Sequence, residues 1–170
     1  MNRADEKARY PTEFTKRAPP YAGRGPHPVV VVRFSPEQGT DSMEPSAGHL
    51  PDGWEADGKS WPVSTQLVLC EYGELTGETV EEDCRYTGAG IHDLTVWVEK
   101  AKYTYRLYEA KTSRLVTTFQ VDGSGGCPRD VLVEDNAPLS IPQDVDREGL
   151  VNSLRPYVER NGGSTRSART

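Results

Sequence analysis

Three cysteines carry the sharpest chemistry in the chain. Cys70, Cys84 and Cys127 are separated by 14 and 43 residues, with no C-x-x-C and no histidine pair at zinc spacing. That pattern argues against a structural zinc site, and no metal or cofactor is expected. Cys70 and Cys84 lie seven residues either side of Gly77, so a hairpin turning at Leu75-Thr76-Gly77-Glu78 would set them opposite each other. Facing Cβ atoms of antiparallel strands are about 4.5–5.5 Å apart and a disulfide wants about 3.5–4.5 Å, so Cys70–Cys84 is the disulfide candidate. Its loop of about 15 residues would contribute roughly 3 kcal/mol in the chain-entropy account. The alternative is two small buried apolar groups in a reducing compartment.

Cys127 is then left as a candidate free or reactive thiol in Gly123-Ser124-Gly125-Gly126-Cys127-Pro128. Cysteine-dependent catalysis would need an imidazole base, His92 or His49, held by a third group. The residue order around Ser124 does not fit a trypsin-type nucleophile loop, and the foldable body is too short for two barrels. His27, His49 and His92 are scattered and read as surface or hydrogen-bonded structural groups. Glu78, Glu81, Glu82 and Asp83 are a dense acidic run, and Glu37, Asp41, Glu44 and Asp52 a sparser one. Neither has the D-x-[DN]-x-[DN]-G spacing that calcium requires, so both read as solvated faces. Trp54, Trp61, Trp97, Tyr103 and Tyr105 could stack on sugar rings or fill an interface, and equally could pack a core.

These residues need strands to position them. Val outnumbers Leu 16 to 11 and Thr adds 14 further β-branched side chains, a bias toward sheet. Residues 28–34 (PVVVVRF) are an apolar run suited to burial on both faces. Residues 66–72 and 79–86 read as the arms of the hairpin about Gly77. From His92 to Ala110, Leu94, Val96 and Val98 alternate, and Tyr103, Tyr105 and Leu107 resume one residue out of phase, so a bulge or break is expected near Ala101. Residues 115–121 return as a second hairpin after 111–114, and residues 131–133 add a short edge strand. One helix is expected near the C-terminal end, capped by Asp144 or Asp146, with Leu150, Val151, Leu154, Tyr157 and Val158 on one stripe and Pro156 limiting it. The fold class is mainly β: an antiparallel β-sandwich or half-open barrel of six or seven strands with one C-terminal helix.

Composition divides the chain. Residues 1–26 hold one Phe and no Leu, Ile or Val and carry a net +3, the signature of a disordered basic arm; residues 159–170 form a flexible tail of net +2. Residues 27–158 hold 31 of the 32 Leu, Ile, Val and Phe side chains and a net charge of −11. So acidic a body repels phosphate backbones, which argues against nucleic acid as a partner. No apolar run approaches the roughly 18 residues of a membrane span, and residues 1–26 lack the apolar stretch of a secretory signal. The location is left open between cytoplasm and the extracytoplasmic side.

An ordered set of short motifs carries a resemblance. His27-Pro28-Val29-Val30, Leu50-Pro51 with Trp54, Gln66-Leu67-Val68 leading to Cys70, Cys84-x-Tyr86, Tyr105-x-Leu107-Tyr108-Glu109-Ala110-Lys111-Thr112, Leu115-Val116, Phe119, Cys127-Pro128 and Leu154-Arg155-Pro156-Tyr157-Val158 together resemble a family of uncharacterised bacterial, actinomycete-type β-rich domains. In that family the domain often follows a membrane helix, which implies an extracytoplasmic position. Ser113 stands where the family's turn more often has Gly, so a left-handed position there would be strained. The resemblance implies no activity. The expected function is therefore a non-enzymatic binding or interaction module, the exposed domain of a larger assembly, with a protein or glycan partner. A Cys127-dependent enzyme and cell-wall recognition through the aromatics are the alternatives.

Overall fold

The computed structural model describes residues 17–34, 50–56, 63–88, 91–128 and 140–161. Six strands, β1 (Val29–Phe34), β2 (Leu67–Gly88), β3 (Ile91–Glu109), β4 (Leu115–Ser124), β5 (Ser140–Pro142) and β6 (Asp144–Val145), are followed by helix α1 (Arg147–Val158). The sheet runs β1-β2-β3-β4-β6, with β5 joined to β3 beside the β3–β4 pairing. The fold is mainly β with one C-terminal helix, as expected. The sheet is open and mixed, since β1 pairs parallel to β2 and β5 parallel to β3. The helix covers the core face, and among the described residues no second sheet packs there.

The valine run behaves as its composition requires. Val29 and Val31 join the helix-side core with Leu67, Leu69, Tyr105, Leu107, Leu150, Leu154 and Val158. Val30 and Val32 join Val68, Cys70 and Ala110 on the opposite face. The stripe expected of α1 is present, with Leu150, Leu154 and Val158 fully buried, so truncating either leucine should cost about 2–5 kcal/mol. Asp146 occupies the N-cap position without a side-chain cap bond.

Ala18 completes the second core, so residues 17–26 belong to the folded body and not to the arm. The Tyr21 hydroxyl donates to the Tyr157 carbonyl at 2.8 Å, and the Gly25 N–H donates to the Arg160 carbonyl at 3.1 Å. A Cβ on Gly25 would meet the Val158 carbonyl oxygen at 2.5 Å, so this close approach of backbones requires glycine. His27 is buried there as a structural group, with Nδ1 at 2.5 Å from Gln66 Oε1 and Nε2 at 3.1 Å from the Arg160 carbonyl. Residues 1–16 and 162–170 lie outside the described residues.

The hairpin about Gly77 does not form. β2 is a single 22-residue strand that passes through this glycine and pairs with β3 along most of its length. Between Leu75 and Cys84, β2 places eight residues where β3 places four between Ala101 and Val96. The surplus must bow outward as bulges, and Gly77, at φ +77°, supplies the left-handed backbone for one of them. On β3 the phase slip expected near Ala101 is real: buried positions pass from Val96 and Val98 to Ala101, Tyr103 and Tyr105, opposite the Leu75/Thr79 register shift.

The second hairpin forms as anticipated. Its turn is closed by the Ser113 N–H donating to the Glu109 carbonyl at 2.9 Å. Thr112 Oγ1 and Arg114 Nη2 donate to the Glu109 carboxylate, and chiefly the Arg114 bond holds that carboxyl below its ordinary range. Ser113 sits at φ +55°, the strained position foreseen for a non-glycine residue. Ser113→Gly should therefore stabilise the protein by about 1 kcal/mol, read as a higher urea midpoint at unchanged slope. An unchanged or lower midpoint would show that the turn carries no strain.

Candidate functional site

The distal half of the β2–β3 pair, residues 79–88 against 91–99, extends beyond the reach of β1, which pairs β2 only from Leu67 to Tyr72. Its small core is Cys84, Val96 and Val98, flanked by Tyr86, Leu94 and Ile141. So small a cluster holds a ribbon poorly unless it is cross-linked. The link is a disulfide between Cys84 and Cys127, with Cα atoms 5.4 Å apart. Beside it the Tyr86 hydroxyl donates to the Pro128 carbonyl at 2.8 Å. The glycine-rich segment after β4 is thereby tied to the ribbon.

This pairing corrects the expected Cys70–Cys84 bridge and retires Cys127 as a free or reactive thiol. Cys70 and Cys84 lie on one strand, not on two arms of a hairpin. At about 3.3 Å per residue they are tens of ångströms apart even after the bulges shorten the path. Cys70 is buried and outside the disulfide, in register with Val32 on one side and Arg106 on the other. With its sulfur bonded to Cys84, Cys127 offers no thiolate for catalysis.

The aromatic candidates separate into buried and exposed. Trp54 is 5% exposed: the backbone of residues 54–56 pairs with Val29, carrying the indole into the helix-side core, where the Arg155 guanidinium lies 5.7 Å from the ring. Tyr105 is fully buried, stacked on Phe119 at 5.2 Å. Its hydroxyl donates to Glu71 Oε2 at 2.7 Å, and Arg33 Nε lies 2.8 Å from Glu71 Oε1. Tyr103, 8% exposed, donates to the Gln143 carbonyl. The Arg33–Glu71–Tyr105 arrangement has no short-range sequence signature, because its members come from β1, β2 and β3. None of Trp54, Tyr103 and Tyr105 can stack on a ligand. Trp61 and His49 lie outside the described residues, as do residues 131–133 and the acids Glu37, Asp41 and Glu44.

Trp97 is the exception, at 48% exposed. It alternates with buried Val96 and Val98, so it stands on the ribbon's outer face with Thr95, next to the β5 register position Ser140. In β2, every residue from 74 to 83 is exposed. Five of them are acidic, with Glu78 bridged to Lys100 at 3.1 Å and Asp83 to Arg85 at 3.2 Å. The ribbon thus presents one large aromatic beside a strongly negative arch. Among the described residues no three His, Cys, Asp or Glu groups come together to hold a metal ion, and no helix is long and apolar enough to cross a membrane.

Comparison with family models, with curated proteins and with solved structures finds no match for this chain.

Two outcomes follow. Peptide mapping without reductant should recover Cys84 linked to Cys127 and Cys70 alkylated only after unfolding. Closing a loop of about 44 residues stabilises by about 4 kcal/mol in the chain-entropy account, so reduction should lower the melting temperature by on the order of 10 °C. A Cys70-containing disulfide, or no shift on reduction, would contradict the assignment. Separately, burial foremost, with the Glu71 charge second, pushes the Tyr103 hydroxyl up to about 12 and Tyr105 higher still. The stability held by a group with a raised folded pKa is complete below about pH 10 and lost as pH climbs through about 12. Absorbance at 295 nm should show these tyrosines ionising only as the sheet unfolds. All eight tyrosines titrating together near pH 10 with the sheet intact would count against it.

Proposed function

We propose that the protein is a non-enzymatic binding module that engages a protein partner through the distal β2–β3 ribbon. The observation that carries this reading is Trp97, half exposed on a ribbon clamped by Cys84–Cys127. Tryptophan is among the side chains that most often dominate binding energy. A ribbon fixed before binding does not have to be ordered on binding, so less of the contact energy is lost. The five carboxylates of residues 74–83 favour a partner of positive charge and speed its encounter.

The alternatives fare worse on the same residues. The thiol-enzyme reading loses its nucleophile to the disulfide. Glycan recognition through several aromatics loses Trp54 and Tyr103 to the core and keeps Trp97. Disulfides persist in oxidising compartments, which supports the extracytoplasmic position that the resemblance implies. The same resemblance supports a domain exposed as part of a larger assembly.

The test is affinity capture from the source cell envelope with wild type, Trp97→Ala and Val63→Ala. Val63 is an exposed apolar control away from the ribbon, at 61% exposed. A protein held by wild type and the control, and weakened about 30-fold by Trp97→Ala, is the expected outcome; that factor corresponds to about 2 kcal/mol for a dominant interface residue. Capture indifferent to Trp97, or bound glycan in place of protein, would overturn the proposal.

A further inference from the structure

The strand edges of this sheet are defended unequally. At β1 the outer edge is met by backbone from residues 54–56: the Val29 N–H donates to the Trp54 carbonyl at 2.7 Å and the Ala56 N–H to the Val29 carbonyl at 2.9 Å. Beyond Tyr72 the edge of β2, which no strand pairs among the described residues, is bowed by its surplus residues and carries Glu74, Glu78, Glu81, Glu82 and Asp83. Bulges and charges are two of the devices that keep a strand edge from pairing with another chain.

β4 has neither device along Thr117–Val121. These five residues, Thr-Thr-Phe-Gln-Val, contain no charge, proline or glycine. They pair with β3 in unbroken register, from Leu107↔Thr117 to Tyr103↔Val121. Among the described residues, β6 meets the far edge of β4 only at Gly123 and Ser124, and no strand pairs with the edge before it. The single irregularity, between Thr117 and Leu115, falls at the end of the run. An undefended, β-branched, regular edge is a template for another strand.

We propose that the edge of β4 pairs antiparallel with β4 of a second copy of this chain, joining two sheets across a two-fold axis at Thr118. The choice of partner rests on the charges that flank the neutral run. Arg114, which also bonds Glu109, precedes it beyond the irregularity at Leu115–Thr117, and Asp122 closes it; each is four residues from Thr118 in sequence. Antiparallel self-pairing brings Arg114 of each copy toward Asp122 of the other, so both ends are complementary. A parallel arrangement would set like charges together. A two-fold contact is isologous, so one self-complementary strand suffices to make it. Thr118 is exposed and on the axis, which places the two Thr118 side chains against each other, and Thr–Thr is a favourable cross-strand pair.

The ribbon and its Cys84–Cys127 link lie elsewhere on the sheet, so this inference is independent of the binding role proposed for Trp97.

Sedimentation equilibrium of the full chain tests it, with Thr118→Lys, Thr118→Glu and Thr118→Val. The wild type and Thr118→Val should associate to dimers in the micromolar range. Thr118→Lys and Thr118→Glu alone should each weaken association at least tenfold with melting of the monomer unchanged. An equimolar mixture of the Lys and Glu variants should restore it as a heterodimer. A wild type that stays monomeric to several hundred micromolar, or a dimer indifferent to Thr118→Lys, would overturn the proposal. So would Lys and Glu variants that fail to recombine while both are folded.

Discussion

The register slip between β2 and β3 opposite Glu99–Ala101 decides where the body of this protein ends and its ribbon begins. On the near side, β2 is flanked by β1 and β3, and α1 covers the sheet. Across the slip β2 carries more residues than its partner can match, β1 is gone, and the buried positions of β3 change parity. A ribbon of β2 and β3, edged among the described residues only by the three-residue β5 and holding three buried side chains, has little stability of its own. The Cys84–Cys127 bond closes that deficit by tying the ribbon to the chain leaving β4. The exposure of Trp97 follows, because the ribbon's one small core occupies its other face.

The main body is held by ordinary means applied to a thin supply of apolar residues. Only 32 of 170 residues are Leu, Ile, Val or Phe, so each must be used. The valines of β1 serve both faces at once, and α1 contributes Leu150, Leu154 and Val158 to one side. Polar residues fill the remainder where they are satisfied: Glu71 between Arg33 and Tyr105, and His27 between Gln66 and Arg160. Such groups are costly to break because a buried partner would be left alone. The N-terminal segment from Arg17 is drawn into this economy through Ala18, Tyr21 and Gly25.

What was legible in the sequence was local. Four valines in a row, the 3.6-residue stripe ending at Val158 and the parity change at Ala101 each reflect a rule that acts within a dozen residues, and each appears in the fold. Gly77 shows the limit, since a left-handed glycine serves a bulge inside a strand as readily as a hairpin turn. The misplaced turn then carried the wrong disulfide with it. Cys84–Cys127 depends on how β4 returns past the ribbon, a long-range arrangement that spacing does not encode. Sequence places the aromatic residues without their exposure, and only burial separates Trp97 from Trp54, Tyr103 and Tyr105.

Hydrogen exchange at single amides, measured before and after reduction, tests the central claim that the Cys84–Cys127 bond holds the ribbon as a rigid docking element. In the oxidised protein the amides of Val96 and Val98 should exchange slowly, close to those of Leu69 and Tyr105 in the main sheet. Reduction should release Val96 and Val98 to fast exchange while Leu69 and Tyr105 keep their protection. Ribbon amides that stay protected after reduction, or exchange fast in both states, would contradict the account.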